Sequence, residues 1–313
     1  DMGSYVMLIL HFVVQLAGAT LLLLFAVRMV RTGIERALGS SFRRVLTRSQ
    51  AAFPAALVGV GLAAILQSSA AVAVLASSFV GSSSLSFGVG LSVVLGADLG
   101  SAIVTQILSL QLDWLVPLLL ACGGILFLKF DAASARQAGR VLIGIALILI
   151  ALGLLRETVA PIKDSAFLPQ LTAILQRDFL TAFLVGAMLT FVMHSAVAVI
   201  LMIVTLVAID ALPFMVGISL MLGANLGSAL LPVWFTRGMN AAARRVPLAN
   251  LMIRGTAALM LVVIVNRSAL LDVLPSFDNA QAVILTHIAF NGVLLLVIPM
   301  RGLFYRWTRK LLP

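Results

Sequence analysis

Apolar runs long enough to cross a bilayer, roughly 17–25 residues, recur along the whole of this chain. No other feature limits the fold as much, because a backbone in lipid must satisfy its own hydrogen bonds. Only helices and closed barrels do that. A barrel needs short segments of alternating polarity, and the sequence offers none. The chain therefore reads as an all-α polytopic membrane protein. Coarse spans fall at 5–27, 51–80, 85–111, 114–128, 140–155, 179–208, 212–235, 247–266 and 281–300. Charged residues make up 10% of the 313, against about 25% in a soluble protein.

Two spans, 51–80 and 179–208, are about thirty residues each. That is long for one crossing and short for two. Each has a polar cluster at its centre: Gln67-Ser68-Ser69 in the first, His194-Ser195 in the second. A re-entrant hairpin fits, built from two helices of roughly 13 residues, each about 20 Å long. Its tip then lies at the bilayer midplane, where non-helical backbone is tolerated only if protein or water surrounds it.

The two clusters are copies. GADLGSA at 96–102 recurs as GANLGSA at 223–229, an offset of 127. The same offset puts Gln67 on His194 and Ser68 on Ser195. From 59–102 against 186–229, 18 of 44 ungapped pairs are identical. Internal duplication of this kind is a mark of secondary transporters. The chain divides into a first helix with a basic amphipathic segment (1–50), repeat 1 (51–155), an external connector (156–178), repeat 2 (179–300) and a basic tail (301–313).

Charge sets the sides. If both long stretches are re-entrant, 28–50, 129–140, 236–246 and the tail share one face. That face holds sixteen of the 21 Lys and Arg residues and two of the 11 acids. The positive-inside rule places it in the cytoplasm, so the C-terminus is cytoplasmic. The same rule explains the net charge of +10 without any nucleic acid partner. The first apolar run is long enough to remain as a span, so no cleavable leader is expected. Three crossings separate the hairpins, so the second enters from the opposite face. The repeats are then inverted, and the two tips meet near the midplane.

A tip begins a helix. Its first N–H groups lack intrahelical partners and its dipole is positive there. Two such ends make an anion site without Lys or Arg. Ser68 and Ser195 either cap their helices or point outward as donors. Gly96 and Gly100, and their copies Gly223 and Gly227, lie mid-span. Two readings stand: a helix break whose carbonyls, with Ser101 and Ser228, suit Na+, or close packing of helices through small residues. Asp98 is the sole carboxylate of the 11 placed mid-span. Such a group is functional by default, binding a cation, carrying a proton or orienting the break. Its partner Asn225 cannot titrate. Arg254 fits snorkelling as well as function. His287 and Asn291, four apart, share a helix face. Cys122, the only cysteine, excludes a disulfide framework. His194 and Ser195 are poor partners for a hydrolase, since adjacent helical residues point about 100° apart and no Gly-x-Ser-x-Gly elbow is present.

QSSAA, GADLGSA, MHSAVA and GANLGSA, with THIAFN at 286–291, resemble the type II sodium–phosphate cotransporter family over roughly 50–300. The resemblance implies alternating access by two inverted repeats, each with a re-entrant hairpin and a broken transmembrane helix. Phosphate contacts would fall on Gln67, Ser68, Ser69, His194 and Ser195. Sodium contacts would fall on Asp98, Ser101, Asn225 and Ser228, with Thr190, Arg254, His287 and Asn291 as secondary candidates. The expectation is a secondary transporter in the bacterial cytoplasmic membrane, without catalysis or cofactor, moving Na+ and inorganic phosphate. The alternatives are another oxyanion or small organic acid, and proton-coupled phosphate transport or export. Partners to look for are the bilayer, a homodimer and a PhoU-like domain, which relatives carry after the point where this chain stops.

Overall fold

The computed structural model describes residues 2–38, 51–110, 112–163, 167–268 and 278–312. Helix α1 (Met2–Leu38) is continuous through Arg28, Arg31 and Arg36, so this stretch does not lie apart as a surface segment; residues 39–50 of that expected segment lie outside the described residues. Repeat 1 opens with α2 (Ala52–Leu66), α3 (Ser69–Gly81) and α4 (Phe87–Leu108). A short α5 (Val116–Lys129) and a long α6 (Ala133–Lys163) follow. The connector is largely helical, comprising the end of α6 and α7 (Phe167–Arg177). Repeat 2 has α8 (Phe179–Met193), α9 (Ala196–Ala208), α10 (Phe214–Phe235) and α11 (Ala241–Arg267). Then α12 (Asn279–Leu294) passes through a 3-10 stretch containing Pro299 into α13 (Arg301–Leu311).

Six helical runs among the described residues are long and apolar enough to span a membrane. The expected span 114–128 is not among them: α5 has 14 residues, about 21 Å. Both thirty-residue stretches break into two helices at their central polar clusters, each with a left-handed residue at the break. The repeat holds element by element, with helices of 15, 13 and 22 residues in each half. Exposed residues on the first hairpin helices share the register: Phe53, Leu57 and Ile65 on α2, Leu180, Leu184 and Val192 on α8. The second helices lie inside, and Val197–Leu201 of α9 is buried throughout.

The expected helix breaks are absent. Both α4 and α10 run unbroken through GADLG and GANLG. The glycines serve close packing instead. A Cβ on Gly96 would collide with the Ala56 carbonyl oxygen, and one on Gly223 with that of Phe183. Gly100 meets Val60 and Gly227 meets Ala187 in the same way. Gly59 and Gly186 return the contact onto Val93 and Leu220. Each pair repeats at the offset of 127, and the small residues let backbone touch backbone. Elsewhere Gly33 packs against Val141 and Gly144 against Val30, which draws α1 and α6 together.

The turns at the tips carry strain. Gln67 has φ 50° and His194 φ 55°, left-handed values that disfavour side chains. We expect Gln67→Gly and His194→Gly to keep or raise the melting temperature in detergent. Valine at either position should lower stability by about 1–3 kcal/mol. At the start of α8, Asp178 caps Leu180 and Thr181, and the Thr181 hydroxyl holds its carboxyl below the usual carboxylate range. That support is present above the ordinary carboxylate pKa and is lost as pH falls through the lowered one.

Candidate functional site

Both tips begin a helix with an extended serine. Ser68 has φ −158° and ψ 102°, and Ser195 φ −152° and ψ 103°. Each hydroxyl oxygen accepts the third amide of its helix, Ala71 N–H to Ser68 and Ala198 N–H to Ser195, both at 3.2 Å. Capping and ligand binding are compatible here. The oxygen is engaged as an acceptor while the O–H proton stays available to donate. The amides of the first turn still lack intrahelical partners, and the dipole adds positive potential.

The two tips line one cavity of about 1030 Å³. Gln67, Ser68, Ser69, His194 and Ser195 all border it, together with Ser101 of α4 and Ser228 of α10. Seven of the nine primary candidates therefore converge. The cavity is also lined by Arg28, Arg31 and Glu35 of α1, which the sequence did not mark as site residues. Arg31 is tied to Glu35 at 2.8 Å. His194 stacks on Phe235 with ring centres 5.6 Å apart, and its Nδ1 meets the Val192 carbonyl at 2.9 Å. No hydrogen bond joins His194 to Ser195, so a nucleophile–base pair is not assembled.

Asp98 and Asn225 do not border the cavity. They lie behind it in a buried polar network centred on Arg254, which is 1% exposed. Snorkelling is thereby overturned: the side chain turns into the protein. Its Nη1 donates to Asp98 Oδ1 at 2.6 Å and to Ser228 Oγ at 3.2 Å. Its Nη2 and Nε donate to Asn225 Oδ1 at 2.6 and 3.2 Å. Asn250 gives its amide to Asp98 Oδ2 at 3.1 Å, and the Ser69 side chain lies beside the same carboxylate. Asn225 donates to His287 Nδ1 at 3.1 Å, and Asn291 donates to Asn225 Oδ1 at 3.2 Å. Thr190 is fully buried, its Oγ1 without a protein partner; the same is true of Gln67 Oε1, Asn250 Oδ1 and Asn291 Oδ1.

The network has an internal correspondence of its own. Gly90 packs on Val246 of α11, and its copy Gly217 packs on Val283 of α12, both at 3.5 Å for an added Cβ. Counting on from Val246 and Val283, Asn250 matches His287 and Arg254 matches Asn291. The contacts agree, since Asp98 meets Asn250 and Arg254 while Asn225 meets His287 and Asn291. Asn250 escaped the sequence reading. Its signal was a second polar pair four residues apart within an apolar span, like His287 and Asn291.

A second cavity, of about 620 Å³, is lined by Asp113, Arg156, Asp210, Asp278 and Gln281. Arg156 pairs with Asp113 at 2.8 Å. Beside it Gln106 and Gln281 exchange amide hydrogen bonds of 3.3 and 2.8 Å.

A family model described as "Na+/Pi-cotransporter" matches residues 22–157 and 163–297. A Salmonella typhimurium protein named "Putative inorganic phosphate export protein YjbB" is 38% identical over 301 residues, covering 95% of this chain and 55% of the relative. Its Escherichia coli K12 counterpart of the same name is 39% identical over 285 residues, covering 91% and 52%. The chain thus spans about half the length of these curated relatives. The "Uncharacterized protein YqeW" of Bacillus subtilis is 26% identical over 312 residues, covering 99% of this chain and 98% of the relative. No solved structure gives a significant match.

Proposed function

The chain belongs to the Na+/Pi-cotransporter family, a family of transporters rather than enzymes, and from that premise we propose that it is a sodium-coupled secondary transporter of inorganic phosphate. It is an integral membrane protein. The observation that carries the proposal is the convergence of two serine-capped helix starts on one cavity. Phosphate binds between them, held by the Ser68 and Ser195 hydroxyls and the first-turn amides, with Gln67, Ser69 and His194 at its edges. An oxyanion ligated this way carries no fixed counter-charge in contact with it and is readily released. Sodium enters among the oxygens left for it: Ser101, Gln67 Oε1 and Thr190 Oγ1.

Alternating access by two inverted repeats is the mechanism this reading implies. In support, the base of hairpin 1 is held by the basic loop before α11, where Asn240 donates to the Gly81 carbonyl at 3.0 Å. The base of hairpin 2 borders the acidic cavity with Asp210 and Asp278. The cavity at the tips is also lined by Arg28, Arg31 and Met239, residues of the basic and therefore cytoplasmic side. The conformation is then inward-facing, in a bacterial cytoplasmic membrane, with the C-terminus inside. Net direction is set by the gradients. The relatives' names add export as a direction to examine. A homodimer and a PhoU-like domain are the further partners this reading proposes.

Radiolabelled phosphate flux in proteoliposomes tests this, with Na+ and pH gradients varied independently. The expected result is flux that follows the Na+ gradient at fixed pH. Flux that follows pH and ignores Na+ would make the coupling ion a proton. Preferential competition by sulfate or carboxylates over arsenate would reassign the substrate.

A further inference from the structure

Asp98, Asn225 and Ser228 direct three oxygens to one buried place, and a guanidinium fills it. Four N–H···O contacts of 2.6 to 3.2 Å hold Arg254 there. A carboxylate, an amide carbonyl and a hydroxyl converging in a dry interior form a donor set that suits a hard monovalent cation. Arginine keeps its proton in any protein setting, so this cation is permanent. It also lies directly behind the anion cavity. Ser228 borders both, and Ser69 borders the cavity with its side chain beside Asp98.

The two halves of the network bear this out in their charges. Asp98 and Arg254 are the acid and the base placed within spans, and they meet. At the matching place across the repeat both charges are gone: Asn225 stands for the carboxylate and Asn291 for the guanidinium. Charge and counter-charge are present together or absent together. A buried carboxylate without a counter-charge is costly, and here the guanidinium neutralises the cage from within.

We propose that Arg254 is a tethered cation that takes the place of one sodium ion in the cage of Asp98, Asn225 and Ser228. Resting on the sodium–phosphate reading above, it follows that the chain couples one cation fewer per phosphate than it would with a neutral residue at 254. A tethered charge balances Asp98 throughout the cycle but never crosses with the substrate.

The test is sodium-dependent thermal stability of purified protein without phosphate, comparing NaCl with choline chloride. Arg254→Gln empties the cage and should gain a Na+-specific rise in melting temperature of about 3–6 °C over wild type when Na+ is well above its Kd. Arg254→Lys keeps a tethered cation and should resemble wild type. The double variant Asp98→Asn with Arg254→Gln removes the anionic ligand and should lose the gain. Should Arg254→Gln fail to fold in choline, recovery of folded protein in Na+ supports the proposal, and failure in both salts overturns it. Equal shifts in wild type, Arg254→Gln and the double variant also overturn it. Wild-type protein that lacks Na+-dependent phosphate flux would sink the transport reading while leaving these shifts to stand or fall separately.

Discussion

Replacing Ser68 and Ser195 together with glycine is expected to abolish phosphate flux in proteoliposomes while leaving a folded, monodisperse protein. Glycine separates the two jobs of each serine. As an N-cap it costs only a few tenths of a kcal/mol relative to serine, whereas alanine costs about 0.5–2. The extended backbone at both positions, with φ near −155°, accepts any residue. The hydroxyl proton is what disappears. A hydrogen bond to a charged group contributes about 1.5–3 kcal/mol, so losing two weakens phosphate binding by roughly 10²- to 10⁴-fold. Each single variant should lose about half of that on the free-energy scale. Flux retained by the double glycine variant, at unchanged phosphate affinity, would remove the tips from the substrate path.

The largest stability effect should come from Gly223→Ala or Gly96→Ala. One methyl group is a small change in most cores, and overpacking typically costs about 1–3 kcal/mol. Here the added Cβ meets a backbone carbonyl oxygen, which cannot rotate aside as a side chain can. The helices must part, and the contacts at Gly59 and Gly100, or at Gly186 and Gly227, go with them. Either substitution should therefore exceed that range and deplete folded protein in the membrane, measured as the monodisperse fraction after extraction. Gly61 and Gly124 are internal controls, since a Cβ there meets nothing, and alanine should be tolerated. Equal yields of Gly96→Ala and Gly61→Ala would show that the hairpin does not press on α4.

The hairpins, their tips and the doubling were legible because a polar triplet in lipid has few physical outlets. Gln67-Ser68-Ser69 had to sit where backbone polar groups are needed, and the offset of 127 fixed its counterpart. The glycines were ambiguous for an equally physical reason. Gly96-xxx-Gly100 is the same string whether it weakens a helix or admits another backbone, and only the neighbour decides. The neighbour, α2, lies some forty residues upstream. Arg254 was undecided because sequence gives depth in a span but not which way a long side chain turns. Its fate depended on Asp98 and Asn225, 156 and 29 residues away.

The glycine contacts also say where this molecule is stiff and where it can give. Hairpin 1 is locked on α4, hairpin 2 on α10, and α1 on α6, each by backbone against backbone or by a valine in a glycine notch. Seams of that kind have no slack, so each behaves as a single machined part. The cavity lies instead between the tips and α1, bordered by Leu24, Val27 and Arg28 on one wall and by both serines on the other. On the transport reading proposed above, the stroke is taken up along that wall, with the tips as the carriers and α1 with α6 as the rail.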